Sequence, residues 1–251
     1  MATGVPSDAD DQRRLSTGHD VTLPLSCRAR LGGVVFAADW APLRALLPKD
    51  LTPVRLGPRS GAVATVGIDY RSVGGLDPYR EFAVVVPVAD EGLGGVPTTL
   101  SGVGGYVVDL PVTTDPARAL GVEVWGFPKS VTGVKIEGTP RTFEVTVATG
   151  GETADESRPD VELSVDVGDA PARRVRRRLT SYAYLDDRLV RVPVDLDAEV
   201  RVARGGEGVR LGRGHGRYAA VLRDLEINPR VYARFVASHA TAEIHPPERV
   251  E

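Results

Sequence analysis
This chain is nearly free of lysine. Of its 251 residues three are lysine (Lys49, Lys129 and Lys135), against 28 arginines. It holds one cysteine, Cys27, so no intrachain disulfide forms and a zinc site built from several cysteines is excluded. Cys27 reads as a small buried hydrophobe, and the lack of disulfides fits a reducing, cytoplasmic setting. No apolar run approaches the ~20 residues of a membrane helix. The polar, acidic residues 1–20 lack the apolar core of a secretory signal. Four histidines (His19, His215, His239 and His245) show no metal-ligand spacing such as HExxH, so no metal is expected. A GxSxG elbow, a Walker A loop and a GxGxxG turn after a strand are also missing. A net charge of −3 and a pI near 5.9 argue against a nucleic-acid partner recruited by bulk charge.

What is present fits a globular chain. Hydrophobic residues make up 42% and charged residues 26%. A chain of this size buries about 70–75% of its unfolded surface without staples. Residues 1–20 are expected to form a flexible arm and residues 21–251 a single domain. Runs rich in Val, Ile, Thr and Tyr, separated by Gly, Pro and Asp, predict strands at Val21–Phe36, Gly61–Val73, Glu81–Val88, Gly102–Leu110 and Ser130–Glu137. The same signal predicts strands at Thr142–Thr149, Val161–Val167, Thr180–Leu185, Glu199–Val202 and Tyr218–Ile227. Helix signals are few. Asp39–Pro48 reads as a short helix with Asp39 as N-cap and Pro48 as stop, Pro116–Leu120 gives a turn or two, and Arg230–Ala237 follows Pro229 as another. The expected class is mainly β (β-rich α+β), a barrel or two curved sheets with a few short helices. Gly150–Asp160 reads as an acidic hairpin loop, and Arg173–Arg178 as a solvated edge or an oligomer contact.

The scarcity of lysine draws attention to Lys129, in the run Val122-Glu123-Val124-Trp125-Gly126-Phe127-Pro128-Lys129-Ser130. Arginine cannot lose its proton near neutral pH, so it cannot act as an amine nucleophile; lysine can. Attack on a ketone needs the neutral amine, and bringing a lysine from about 10.4 down to neutrality takes roughly 5.5 kcal/mol of differential interaction. Burial against apolar walls and a nearby cation are the two means. Trp125, Phe127 and Pro128 are candidates for the wall, and Pro128 fixes the backbone entering the lysine.

Glu123-x-Trp125-Gly126-Phe127-Pro128-Lys129 resembles the Schiff-base motif of the acetoacetate decarboxylase family. Leu43-Arg44-x-Leu46-Leu47-Pro48-x-x-Leu51 is similar to that family's early helix and Pro turn. Tyr79-x-Glu81 with Val86-Pro87-Val88 resembles its segment carrying an active-site glutamate, and Ser238-His239-x-x-Ala242-Glu243-Ile244 its C-terminal strand. The resemblance spans about residues 25 to 245. It implies a cone-like β-barrel, a homo-oligomer, and cofactor-independent decarboxylation of a small β-keto acid such as acetoacetate. It also implies Lys129 as the Schiff-base residue, Glu81 as an active-site acid, Arg28 or Arg30 at the substrate carboxylate, and Phe127 and Trp125 as the substrate wall. The chain departs from the family pattern in two places: Ser130 stands where a second lysine is usual, and Val66 where a second glutamate is. Two alternatives stay open on that account. One is a Schiff-base aldolase or dehydratase acting on a larger 2-oxo acid; the other is a non-catalytic small-molecule binder.

Overall fold
Apolar residues alternate along most of the chain, and the alternation sets the architecture. The computed structural model describes residues 11–89, 103–148 and 159–250. A hairpin of β1 (Asp11–Arg14) and β2 (Asp20–Leu23) leads into the long β3 (Leu25–Asp39). Helix α1 (Trp40–Leu46) and the short β4 (Thr52–Pro53) and β5 (Arg55–Gly57) follow, then β6 (Ser60–Val73), β7 (Arg80–Ala89) and β8 (Val103–Val112). Helix α2 (Asp115–Ala119) runs into a wider π turn (Leu120–Val124) and then β9 (Lys129–Val131), β10 (Val134–Gly138), β11 (Thr142–Ala148) and β12 (Pro159–Asp166). The last stretch holds β13 (Ala172–Leu185), β14 (Arg188–Arg204), β15 (Val209–Arg213), α3 (Arg217–Asp224), β16 (Ile227–Ile244) and β17 (Glu248–Arg249).

Seven of these strands close into a barrel, in the order β7-β6-β3-β16-β14-β13-β8, with β8 pairing back onto β7. Closure gives each strand of the ring a partner on both sides over at least part of its length. A separate sheet, β10-β11-β12-β15, packs its apolar face (Phe143, Val145, Leu163 and Val165) on Val34, Phe36, Phe82 and Val84 of the barrel. A second core gathers on the other side of the barrel wall, from Leu23, Leu25, Cys27, Ala29, Leu110, Val112, Leu120 and Trp125. Gly32 and Gly67 are needed where the two sheets meet, because a side-chain carbon at either would overlap Phe143.

The expected mainly β class stands, and most expected strands are present with longer bounds. Two expectations are overturned. Tyr218–Ile227, expected as a strand, is mostly the helix α3, because Tyr218, Ala219, Leu222 and Leu225 fall on one helical face and are buried there. Its start is capped from a distance: the Asp160 carboxylate accepts from the N–H groups of Gly216 (2.7 Å), Tyr218 (2.7 Å) and Ala219 (3.3 Å). Arg230–Ala237, expected as a helix, lies inside β16, which is paired on both sides by β14 and β3. Partners on both edges outweigh the local helix signal of Pro229. Leu43 of α1 and Leu47 just after it are buried, while Leu46 is 41% exposed. Of the arm expected over residues 1–20, residues 1–10 lie outside the described residues, while Leu15 is buried in the second core. The acidic loop lies outside them too, apart from Pro159 and Asp160. Among the described residues no helix is long and apolar enough to cross a membrane.

Asp160→Ala is expected to leave those amides without their acceptor and to cost about 2–3 kcal/mol. Urea unfolding should show a lower midpoint at unchanged slope.

Candidate active site
Lys129 opens β9, and the turns before it decide where it points. Thr114 caps α2 by accepting from Ala117 N. The helix then widens into the π turn, and Gly126 N donates to Val122 O at 3.2 Å, Phe127 N to Gly121 O at 2.9 Å and Lys129 N to Phe127 O at 2.7 Å. Two glycines are required on this path. Gly126 has φ +69°, and a side-chain carbon there would overlap the Tyr184 carbonyl. Gly121 lies flat against the lysine stem, where a side-chain carbon would overlap Cδ and Cε of Lys129. Trp125 anchors the loop: it is buried, and its indole N–H donates to His245 O at 3.0 Å, just past β16.

Strand order then brings two charges together. β9 runs parallel to β8 with Lys129 opposite Leu110, and β7 flanks β8 on its other side with Glu81 opposite Val112. Lys129 Nζ donates to Glu81 Oε2 at 2.9 Å, and the two side chains are 3% and 5% exposed. Removing one member of such a buried pair costs about 3–5 kcal/mol, because the other charge is left uncompensated. Nζ also donates to the Tyr79 hydroxyl at 3.5 Å and lies 5.2 Å from the centre of that ring. Tyr70 donates to Glu81 Oε1 at 3.3 Å, so each carboxylate oxygen has its own partner. The two tyrosine rings pack at 4.6 Å. Burial first, then the Glu81 charge, pushes both tyrosines well above their ordinary range, so both hydroxyls keep their protons at neutral pH. Cys27 shares this core. Burial, then Glu81, pushes its thiol up to about 11, which leaves it an unreactive small side chain.

Of the residues expected to form the site, Lys129 and Glu81 meet. Phe127 lies in the same core, its ring 5.8 Å from that of Trp125. The expectation that Arg28 or Arg30 reaches a substrate beside Lys129 is not met. Val21, Leu23, Leu25, Cys27 and Ala29 alternate into the lysine's core, and the same alternation turns Arg28 and Arg30 to the other face. Arg28 is exposed there. Arg30 donates to Gly138 O at 2.8 Å and lies 5.1 Å over the Phe143 ring. That phase is legible in the apolar spacing of the strand itself. Tyr70 and Gly121 were not expected; one is reached across a strand pair and the other through a non-local turn, and neither carries a motif. Glu123 accepts from the backbone N–H of Ser16 at 3.0 Å and from its hydroxyl, which ties the N-terminal hairpin to the turn before Lys129. Those two bonds, hydroxyl first, hold the Glu123 carboxyl below its usual range.

Among the described residues, one trio has ligand atoms close enough for a cation: Asp195, Glu243 and His245, within 4.8 Å of one another. His245 already bonds Asp195 at 2.8 Å, and Arg178 lies 3.8 Å from the same carboxylate, so these ligand atoms already have protein partners.

A profile of the acetoacetate decarboxylase family matches residues 21–241. The chain belongs to that family. No curated protein matches the sequence. Among solved structures the chain is similar to acetoacetate decarboxylase from Legionella pneumophila, with a TM-score of 0.68 at 16% identity over 100% of this chain and 93% of that one. It is also similar to the enduracididine biosynthesis enzyme MppR in complex with pyruvate, with a TM-score of 0.64 at 16% identity over 90% of each chain. An acetoacetate decarboxylase-like enzyme from Sphingomonas wittichii follows, with a TM-score of 0.56 at 16% identity over 90% of this chain and 92% of that one. At these identities the likeness shows a shared fold.

Gly121→Ala is expected to leave this family's barrel folded while pushing Lys129 off Glu81. The weakened buried pair should lower the urea midpoint of unfolding relative to the wild type. The Glu123 contact has a predictable pH dependence. A carboxyl that titrates lower in the folded state contributes fully above its unfolded value, about 4.3, and its contribution is lost as pH falls through the folded value. Amide exchange at Ser16 should therefore quicken, relative to an unstructured amide, in that acid window. In Glu123→Gln, which does not titrate, that step should be absent.

Proposed function
We propose that this protein is a cofactor-independent carbon–carbon lyase that decarboxylates a small β-keto acid, acetoacetate-like, through a Schiff base on Lys129. The observation that carries the reading is a buried lysine amine 2.9 Å from a buried carboxylate, in a chain of the acetoacetate decarboxylase family. Glu81 takes a proton from the ammonium and frees the nitrogen lone pair. The amine attacks the keto carbon, water leaves, and an iminium forms. The bond to the carboxylate then breaks; its electron pair moves toward the iminium nitrogen to give an enamine, and CO2 departs. A proton drawn from solvent water adds to the enamine carbon, and water hydrolyses the iminium to release the ketone and restore the lysine. The iminium is the electron sink, so the scheme calls for no cofactor.

A second reading keeps the lysine and changes the reaction to aldol or dehydration chemistry on a larger 2-oxo acid. Two observations favour it. Among the described residues no arginine reaches Lys129, and Ser130 bonds the Tyr218 hydroxyl at 3.1 Å where a second amine would otherwise stand. The similarity to MppR in its complex with pyruvate points the same way.

Borohydride trapping separates the readings. With acetoacetate the wild-type protein is expected to gain a reduced adduct on Lys129 and to release CO2, and Lys129→Arg to do neither. An adduct with pyruvate but no CO2 from any β-keto acid favours the second reading. No adduct with either probe ends both.

A further inference from the structure
Forming a Schiff base on Lys129 moves two protons off its nitrogen. The ammonium begins with three hydrogens and the iminium ends with one, and the two it gives up leave with the substrate oxygen as water. Charge is conserved, and one carbon–nitrogen double bond replaces one carbon–oxygen double bond. Two proton transfers must therefore be served at Nζ. Among the described residues Nζ donates to two side-chain oxygens, Glu81 Oε2 at 2.9 Å and the Tyr79 hydroxyl at 3.5 Å.

Glu81, the anion, accepts the first proton. Holding that proton it is neutral and takes no other until it has passed the first on, and its other oxygen is engaged by Tyr70. Tyr79 has what the second transfer needs: a lone pair facing Nζ and its own proton to pass on. It is rigidly held, through its ring contact with Tyr70 at 4.6 Å and through its carbonyl, which accepts from Tyr70 N at 2.9 Å. We propose that Tyr79 is a second catalytic residue, relaying a proton from Nζ to the substrate carbonyl oxygen as the carbinolamine forms, while Glu81 delivers the other as water leaves. Tyr70 is a positioning residue that fixes Glu81 Oε1 so that Oε2 faces Nζ. Burial keeps the Tyr79 hydroxyl protonated, as a relay requires. The proposal rests on the Schiff-base reading above and adds the group that completes it.

The test is exchange of oxygen between acetone and ¹⁸O-labelled water, with Lys129→Arg as baseline and borohydride trapping in parallel. Tyr79→Phe keeps the buried ring and is expected to slow exchange about 100-fold, while still giving a trapped adduct after long incubation. Tyr70→Phe removes a hydroxyl from the same pair without touching Nζ and should slow exchange by about tenfold or less. Equal loss in the two variants, or wild-type exchange in Tyr79→Phe, overturns the proposal and leaves the lysine chemistry standing. Absence of both exchange and adduct in the wild type overturns the Schiff-base reading itself and this proposal with it. If Tyr79→Phe does not fold, Tyr79→His keeps a proton-carrying ring: exchange within about tenfold of wild type supports the relay, and loss to the Lys129→Arg baseline in a folded protein overturns it.

Discussion
The buried pair of Lys129 and Glu81 is the contact on which the proposed chemistry depends. Neither charge could be held there alone, since an isolated ion in an apolar interior shifts to neutrality or draws in water. Their meeting is a consequence of barrel closure. Lys129 hangs from β9 and Glu81 from β7, and β8 lies between those strands, pairing with both. An open sheet, without the β7–β8 pairing, would leave the two on separate edges. The stability of the ring and the readiness of the amine are therefore coupled. What weakens closure also exposes and separates the charges.

How this arrangement could be foreseen differs from residue to residue. Lys129 was legible because Gly-Phe-Pro-Lys is compact and because its type is scarce. Scarcity alone would have misled: Lys49 and Lys135 are equally rare and lie exposed, Lys135 3.2 Å from the Glu137 carboxylate. Glu81 was legible through its segment. Arg28 and Arg30 were misjudged where nearness in sequence was given more weight than strand phase, although the alternation from Val21 to Ala29 already assigns them to the opposite face. Tyr70 and Gly121 act across pairs of elements, and no local pattern marks such contacts. The exchange of helix and strand between residues 217 and 244 has the same origin. α3 depends on the distant cap from Asp160, and β16 on neighbours at both edges. Long-range partners decided both elements.

The arginines follow a different rule from the lysine. Along β13, Arg174 and Arg176 bond Asp197 on the neighbouring strand, and Arg178 lies 3.8 Å from Asp195, all on exposed surface. Such exposed pairs each contribute little, but they charge a stretch of strand from Ala172 to Leu179 that has no described partner on its outer edge. Charge at an edge discourages uncontrolled pairing with other strands. A guanidinium suits that role, being permanently charged and able to bond in several directions. The chemistry proposed for the interior site calls for the opposite property, an amine that can give its proton up.

That requirement explains the company Lys129 keeps. In water an ammonium gives up its proton to solvent; here, with the side chain 3% exposed, protons must pass between protein groups. Transfer across 2.9 Å to Glu81 turns two buried charges into two neutral groups at once, so the step creates no new charge in a medium that penalises charge. Tyr70 on Glu81 and Tyr79 on Nζ keep hydrogen bonds available in both states, because a hydroxyl can donate to one neighbour and accept from another. A second lysine would add a charge that this pocket would then have to balance. A pair of protonated tyrosines adds none, so the proposed transfer between one lysine and one carboxylate needs no further charge to balance it.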